Sequence, residues 1–268
     1  MLIDINAYVG HWPFQQLKYN TCAGLLERMN RFGVDLSVIS NLNGIFYKNT
    51  QSANEELIQE IRLNRRFQER FVPFAVINPI YAGWKDDLDT CVKKMGFKGV
   101  RIYPKYHDFD IVDPACIELV KRARDQGLPV AFNFRMVDSR QRSWMDIDYI
   151  VGTPKPEWNM KNILPIIKAV PDAKFMILNF CNNVVLNEEE MALVKKPNVI
   201  IDNSGRAITN MADFIKSYGA DKFAFGTHAP ILDYLTAQLR IESMRPDEAD
   251  EATKELLRSG NAREILGI

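Results

Sequence analysis

Residues 96–134 read GFKGVRIYPKYHDFDIVDPACIELVKRARDQGLPVAFNF and contain one repeating unit of the fold. Two largely apolar runs, 98–103 and 128–133, lie near its ends. Between them, Asp113-Pro114 has the form of a helix N-cap followed by a first-turn proline. The stretch therefore predicts a strand, a helix and a second strand. Short apolar strands separated by helices are typical of a parallel sheet.

The same alternation of short apolar runs and amphipathic segments continues along the whole chain. No run shows the polar alternation of a half-exposed sheet, so each strand is expected to be covered on both faces. Eight runs in 268 residues predict a single α/β domain, residues 1–268, with the fold of a (β/α)8 TIM barrel. A doubly wound open sheet is the alternative, but no G-x-G-x-x-G motif follows the first run. The predicted strands are 2–6, 35–41, 71–77, 98–103, 128–133, 174–180, 198–203 and 222–227.

Composition argues against several classes of function. Lys plus Arg equals Asp plus Glu at 34 each, so the formal net charge is zero and no overall field favours nucleic acid or an anionic membrane. The four cysteines form no C-x-x-C pair, which argues against a disulfide framework and a thiolate zinc site. No stretch approaches the roughly 18 apolar residues of a membrane span, and no signal peptide is evident. We expect a soluble, cytoplasmic protein.

Polar and aromatic side chains follow the predicted strands where a barrel builds its active site, at the strand carboxyl ends. Amide, aromatic and cationic residues predominate there. They include Asn6 and Tyr8 on the first strand, Tyr103 and Lys105 after the fourth, Asn133 and Arg135 after the fifth, Asn179 after the sixth, Asp202 and Arg206 after the seventh and His228 after the eighth. The segment 136–157 is too long for an ordinary connection and is predicted to be a lid or a subunit contact.

Four segments carry a family resemblance: LIDINAYVG (2–10), LPVAFNF (128–134), AKFMILNF (173–180) and KFAFGTHAP (222–230). In wording and order they resemble the amidohydrolase superfamily, specifically its aminocarboxymuconate-semialdehyde-decarboxylase-like branch. The resemblance extends over essentially the whole chain. It implies a TIM barrel, and it implies the chemistry of a family that includes hydrolases, decarboxylases and hydratases.

The resemblance also implies where a catalytic metal would bind. The family pattern is His-x-His on the first strand, His on the fifth and sixth strands and Asp on the eighth. The residues at these positions here are Asn6, Tyr8, Asn133, Asn179 and His228. A neutral amide is a weak ligand for zinc and its neighbours, and a phenol must first lose a proton with a pKa near 10. We therefore predict no tightly bound metal and no cofactor.

His228 is the predicted catalytic residue, because imidazole is a competent general base near neutral pH. Lys105, Arg135 or Arg206 are predicted to hold an anionic group of the substrate. Asn6, Tyr8, Asn133 and Asn179 are predicted to complete the binding site. The structural alternative is that the asparagines form a hydrogen-bonded network and that His228 is a core histidine bonded to Asp202 or Asn6.

Three hypotheses about function follow from these residues. The first is a hydrolase or lyase-type enzyme that acts on a small polar or carboxylated metabolite without a tight metal. The second is a catalytically silent relative that binds a metabolite in the same cleft. The third is a metal-dependent hydrolase with unexpected ligands, such as His228, Asp202, Cys181 or His11. A homodimer is a common state for chains of this size.

Overall fold

The computed structural model describes residues 1–133, 135–136, 159–179, 185–205, 208 and 210–268. Eight strands lie within these residues and pair in parallel, in the order in which they occur along the chain. This arrangement is the predicted (β/α)8 TIM barrel. The strands are β1 (Ile3–Val9), β2 (Leu36–Asn41), β3 (Phe71–Val76), β4 (Gly99–Ile102), β5 (Val130–Asn133), β6 (Phe175–Leu178), β7 (Val199–Asp202) and β8 (Phe223–Ala224).

Backbone hydrogen bonds close the barrel between its last and first strands. The amide of His228 donates to the carbonyl oxygen of Asn6 at 2.7 Å, and the amide of Tyr8 donates to that of Ala229 at 2.8 Å. Two strands differ from their predicted bounds at this closure. Strand β1 extends to Val9 rather than to residue 6. Strand β8 ends at Ala224, because the segment after it bonds to β1 outside a regular ladder. The closure also brings the ends of the first and eighth strands together.

Helices cover the outside of the sheet. The predicted cap at Asp113 is confirmed, since its carboxylate accepts from the amide of Ala115 at 2.8 Å. The helical segments among the described residues are α1 (Cys22–Phe32), α2 (Gln51–Arg62), α3 (Arg65–Arg70), α4 (Trp84–Thr90), α5 (Pro104–His107), α6 (Pro114–Asp125), α7 (Leu164–Ala169), α8 (Glu188–Val194), α9 (Met211–Tyr218), α10 (Tyr234–Glu242), α11 (Glu251–Glu255) and α12 (Asn261–Leu266).

Side chains fill the barrel interior in layers. The floor is apolar, and Phe74 packs so closely against β4 that a Cβ on Gly99 would lie 2.3 Å from its ring. This contact explains why β4 begins with glycine. The floor residues come from seven strands and from α12: Ile3, Ile5, Val38, Phe74, Ala131, Met176, Leu178, Ile200, Ala224, Ala262 and Ile265. Polar side chains lie above the floor, toward the carboxyl ends of the strands.

An apolar cluster lies above the polar layer, at the mouth of the barrel. It combines residues of β1 and β3 with residues of the segments that follow β1, β2, β4, β5 and β8. Its buried members are Tyr8, Trp12, Leu17, Leu42, Ile45, Val76, Tyr103, Met136 and Ile231. The polar layer is therefore enclosed between an apolar floor and an apolar roof.

Two further predictions concern membrane-spanning helices and the segment 136–157. Among the described residues, no helix is both long and apolar enough to cross a membrane. The predicted lid or subunit contact, 136–157, lies outside the described residues except for Met136, which is buried.

Candidate functional site

Four strands bring the predicted polar residues into one layer. Asn133 ends β5, Asn179 follows β6, and His228 follows β8 at the closure with β1. Asn6 and Tyr8 lie on β1 and both contact this layer, as their spacing of two predicts. All five side chains are buried. Side-chain contacts join Asn6 to His228 and Tyr8 to Asn133 and to His228.

Asn6 links a carboxylate to the histidine. Its Nδ2 donates to Oδ2 of Asp202 at 2.6 Å and lies 3.3 Å from Nδ1 of His228. The carboxylate accepts hydrogen bonds only, so it orients the Asn6 amide with Nδ2 toward both groups. The structural alternative from the sequence, a buried histidine bonded to Asn6, is therefore part of the arrangement.

The orientation of Asn6 fixes the tautomer of His228. An amide nitrogen donates, so Nδ1 of His228 accepts and its ring hydrogen is on Nε2. Consistently, Nε2 lies 2.8 Å from the carbonyl oxygen of Met136, which can only accept. His228 thus directs its Nε2–H group toward the carbonyl of Met136, at the mouth of the barrel.

Tyr8 connects the histidine to the opposite side of the barrel. Its ring meets the ring of His228 edge to face, with centroids 5.1 Å apart. Its hydroxyl accepts from Nδ2 of Asn133 at 2.5 Å. Burial raises the pKa of Tyr8 well above its ordinary value, so the phenol stays protonated. The Oδ1 atom of Asn133 is buried and makes no hydrogen bond.

Asn179 is held in an unusual conformation. Its φ of 51° is left-handed, and His228 shares that feature with a φ of 59°. Its backbone amide donates to Oδ1 of Asp202 at 2.7 Å, whereas both polar atoms of its side chain are buried without a hydrogen-bond partner. Left-handed non-glycine residues and unpaired buried amides both cost free energy, and such costs are concentrated at functional sites.

Two buried carboxylates lie on the β7, β8 and β1 side. Asp202 accepts from Asn6, from the amide of Asn179 and from the hydroxyl of Ser204. Asp4 accepts from the amide of Asn6 and from the amide and hydroxyl of Thr227. Burial raises the pKa of Asp4 to about 6 and also raises the pKa of Asp202, while these hydrogen bonds oppose both shifts.

Arg101 is a site residue that sequence reasoning missed. It lies in the middle of β4 and is fully buried, with its guanidinium carbon 4.5 Å from the centre of the Tyr8 ring. Tyr103 is two residues further on and is also fully buried. The available signal was the single charge inside the run GVRIY, at a spacing of two from a tyrosine at the strand end.

The described cationic residues that were predicted to bind an anion are less buried than Arg101. Lys105 is half-buried on α5, and Arg135 is half-buried after β5. Arg206 lies outside the described residues, as does Cys181. His11 is exposed on the loop after β1. His107 is buried with Nε2 2.9 Å from the carbonyl oxygen of Gly44, and burial lowers its pKa.

The described donor atoms do not fit the divalent metal that the resemblance implies. At the five positions they are three neutral amides, a protonated phenol and an imidazole whose Nδ1 faces Asn6. Within the described part of the chain, no three His, Cys, Asp or Glu side chains form a group that could hold a metal ion. The residues present therefore support no chemical step that uses a metal ion.

The barrel and its polar layer at the strand ends define the class of protein. A family model described as amidohydrolase matches residues 32–268, and the chain belongs to that family. No curated protein matches the sequence.

Solved structures confirm the fold over the whole chain. The chain is similar to 2,6-dihydroxybenzoate decarboxylase from Rhizobium, at 15% identity, a TM-score of 0.70 and coverage of 99% of this chain and 98% of that chain. It is similar to 5-carboxyvanillate decarboxylase from Sphingomonas paucimobilis, at 15% identity, a TM-score of 0.71 and coverage of 100% and 99%. It is also similar to a dihydroxybenzoic acid decarboxylase from Polaromonas sp. JS666 with bound manganese and an inhibitor. In that comparison the identity is 15%, the TM-score is 0.68, and the match covers 99% of this chain and 96% of that chain.

Proposed function

We propose that this amidohydrolase-family chain is a lyase or hydrolase that acts on a small carboxylated metabolite without a tightly bound metal. The observation that carries the proposal is the set of buried polar atoms without partners at the strand ends, on Asn6, Asn133 and Asn179. Each such atom costs free energy in the ligand-free protein, and a polar ligand in this layer would recover that cost.

His228 is the proposed residue at the reacting centre. The tautomer held by Asn6 places a hydrogen on Nε2, which suits a hydrogen-bond donor better than the general base inferred from sequence. A neutral imidazole can stabilise negative charge that develops on a substrate oxygen. To reach the substrate, Nε2 must exchange the carbonyl of Met136 for the substrate oxygen.

A decarboxylation is favoured over a hydrolysis by the names of the similar structures, which include decarboxylases of dihydroxybenzoate and carboxyvanillate. In that reaction the carbon–carboxyl bond breaks, CO2 leaves and a proton takes its place. Negative charge on a neighbouring oxygen is the part that an N–H donor can stabilise. The manganese of the Polaromonas structure is a property of that protein.

The proposal is tested by a screen of hydroxylated aromatic carboxylates, beginning with 2,6-dihydroxybenzoate and 5-carboxyvanillate, with CO2 release as the signal. The protein is first freed of metal and its metal content is measured. We expect turnover that persists without metal. His228→Ala should lower kcat about 100- to 1000-fold with binding retained, as for the loss of one oxyanion donor.

Two variants sharpen this experiment. His228→Gln restores an N–H donor and should recover part of the activity, which a general base would not. His11→Gln is the matched control on an exposed loop and should leave kcat unchanged. Activity that requires about one equivalent of metal would contradict the metal-free mechanism, and unchanged turnover in His228→Ala would exclude His228 from the reaction.

The second candidate function is a silent metabolite-binding protein. It is favoured by the engagement of both ring nitrogens of His228, with Asn6 and with Met136. This candidate predicts that a carboxylate raises the melting temperature of the protein while no product forms. Turnover by any member of the screen would eliminate it.

A further inference from the structure

Arg101 is a buried guanidinium whose charge has no acidic partner among the described residues. Its Nη1 donates to the carbonyl oxygen of Ala7 at 3.1 Å, and its carbon atom lies over the Tyr8 ring. Its Nε and Nη2 are buried and make no hydrogen bond. An arginine is always charged, so it cannot relieve this burial by losing a proton.

The two unpaired nitrogens form one edge of the guanidinium. Nε–H and Nη2–H point in the same direction from the planar group, and this edge matches the two oxygens of a carboxylate. The buried carboxylates of the site do not use it, because Asp4 accepts from Thr227 and Asp202 accepts from Ser204 and Asn6. No carboxylate among the described residues pairs with this edge.

Two neighbouring hydrogen-bond donors also lack partners. The hydroxyl of Tyr103 is buried without a partner, and burial raises its pKa to about 12, so it remains a donor. The charge of Arg101 and a loose contact between its guanidinium and this hydroxyl oppose that rise, although the contact lacks full hydrogen-bond geometry. The indole Nε1 of Trp12 is also buried and unpaired, and Trp12 belongs to the same apolar cluster as Tyr103.

We propose that the Nε and Nη2 edge of Arg101, assisted by the hydroxyl of Tyr103, binds the carboxylate of the ligand. This inference rests on the proposed function and identifies the ligand as a monocarboxylate with an aromatic or otherwise apolar body. The apolar body follows from the walls of the cluster, which include Tyr8, Trp12 and Val76. A single cation in a dry site balances one negative charge, whereas a phosphate dianion would remain partly uncompensated.

A cleft that adjoins the apolar cluster is the proposed entry for the ligand. The cleft measures roughly 510 Å³ and lies between the loop after β1, α1 and the loop after β8. Leu17 and Ile231 line it and also belong to the apolar cluster that contains Tyr103. Because Arg101 is fully buried, entry requires these or other side chains of the cluster to move aside.

The proposal is tested by binding rather than by turnover. Benzoate is the probe, and benzamide is the neutral molecule of nearly the same shape. Isothermal titration should give saturable binding of benzoate by the wild-type protein and binding of benzamide that is at least about tenfold weaker, since a hydrogen bond to a charged group is the stronger kind. No saturable benzoate binding, or equal affinity for both probes, would overturn the proposal.

Three variants locate the charge that benzoate recognises. Arg101→Gln should weaken benzoate about 30-fold or more and leave benzamide unchanged, and Arg101→Lys should recover little because a lysine lacks the planar edge. Tyr103→Phe removes only a hydroxyl and should weaken benzoate about fivefold, so it tests the site even if Arg101→Gln folds poorly. Arg122→Gln, on the outer helix α6, is the matched control.

The outcomes separate this inference from the proposed function. A preference for benzoate that survives Arg101→Gln and disappears in Lys105→Gln or Arg135→Gln would overturn the inference and leave the reaction open. Benzoate binding that depends on Arg101 in a protein without turnover would sustain the inference and contradict the reaction. His228→Gln should bind benzoate about as well as the wild-type protein does.

Discussion

The barrel contains two groups of buried polar residues that are satisfied to very different degrees. The carboxylate sector consists of Asp4, Asn6, Asp202, Ser204 and Thr227, on the β7, β8 and β1 side. The guanidinium sector consists of Arg101, Tyr103, Asn133 and Asn179, on the β4, β5 and β6 side. Both carboxylates in the first sector accept hydrogen bonds from neighbouring strands. Every member of the second has at least one buried side-chain atom without a partner, whereas in the first only Oδ1 of Asn6 lacks one.

We interpret the first group as residues that hold the fold and the second as the residues proposed to bind the ligand. A satisfied buried network stabilises one arrangement of the chain, and here it closes the barrel between its last and first strands. Unsatisfied buried groups lower the stability of the free protein. Substitutions should therefore have opposite signs in the two sectors.

The largest effect is expected at Asp4. Asp4→Ala would leave the amide of Asn6 and the amide and hydroxyl of Thr227 without their acceptor. We expect a loss of about 3–5 kcal/mol in the free energy of unfolding, measured by urea denaturation. Asp4→Asn keeps one acceptor oxygen and should cost about 1 kcal/mol. Similar values for both variants would show that the carboxylate sector does not hold the closure.

The next effect is a pH dependence with a defined sign. The pKa of Asp4 rises from 3.8 to about 6 on folding, so between these values the folded protein binds more protons than the unfolded chain. The free energy of unfolding should therefore fall as pH increases from about 4 to 6, by up to about 3 kcal/mol from Asp4, and then level off. Asp202 contributes with the same sign, because its pKa is also raised.

The contribution of Asp4 is obtained by subtracting the free energy of unfolding of Asp4→Asn from that of the wild-type protein at each pH. Urea unfolding of the wild-type protein and of Asp4→Asn is measured at several values between pH 4 and 7. Surface carboxylates with lowered pKa values, such as Glu242 and Asp250, act in the opposite direction but cancel between the two proteins. A difference that does not change across this range would mean that Asp4 titrates at its ordinary value.

The guanidinium sector should respond in the opposite sense. Arg101→Met replaces a buried charge that has no acidic partner by an apolar side chain, and we expect a gain of about 1 kcal/mol in the free energy of unfolding. The lost bond to Ala7 and the lost contact with Tyr8 limit the gain. The same variant should lose benzoate binding. A loss of stability above about 1 kcal/mol would instead make Arg101 a structural residue.

The fold was accessible from the sequence because its strands are covered on both faces. Seven of the eight predicted runs contain an observed strand and the first overlaps β1, which extends beyond it to Val9, since continuous apolarity is a strong signal. The ends were less accessible. At the end of the chain, Gly260 has a helical φ of −56° and the chain continues through it into α12, which is capped by Gly267 with a φ of 71°.

The site was accessible only in part. The resemblance singled out five strand-end positions, and two pairs among them, Asn6 with His228 and Tyr8 with Asn133, are in contact. Arg101 was missed because a run that is apolar on both faces gives no indication of which residues point inward. The tautomer of His228 depends on Asp202, which lies on another strand. Partners of this kind are set by three-dimensional packing.

The smallest predicted effect concerns the backbone of Asn179. Asn179→Gly and Asn179→Ala both remove a buried amide without partners, and both keep the backbone amide that donates to Asp202. They differ in how well they accept a φ of 51°, which costs alanine about 1 kcal/mol relative to glycine. We expect the glycine variant to be within about 0.5 kcal/mol of the wild-type protein and the alanine variant to be less stable by that difference.

Urea denaturation of the two variants separates the backbone from the side chain of Asn179. If both lost more than about 2 kcal/mol, the amide would have to be bonded in the folded protein, and Asn179 would belong with the residues that hold the fold. If the glycine variant keeps its stability but loses benzoate binding, the strained conformation of Asn179 serves to place its side chain for ligand binding. A residue in a strained conformation that adds no stability is retained for what its side chain contacts when the site is filled.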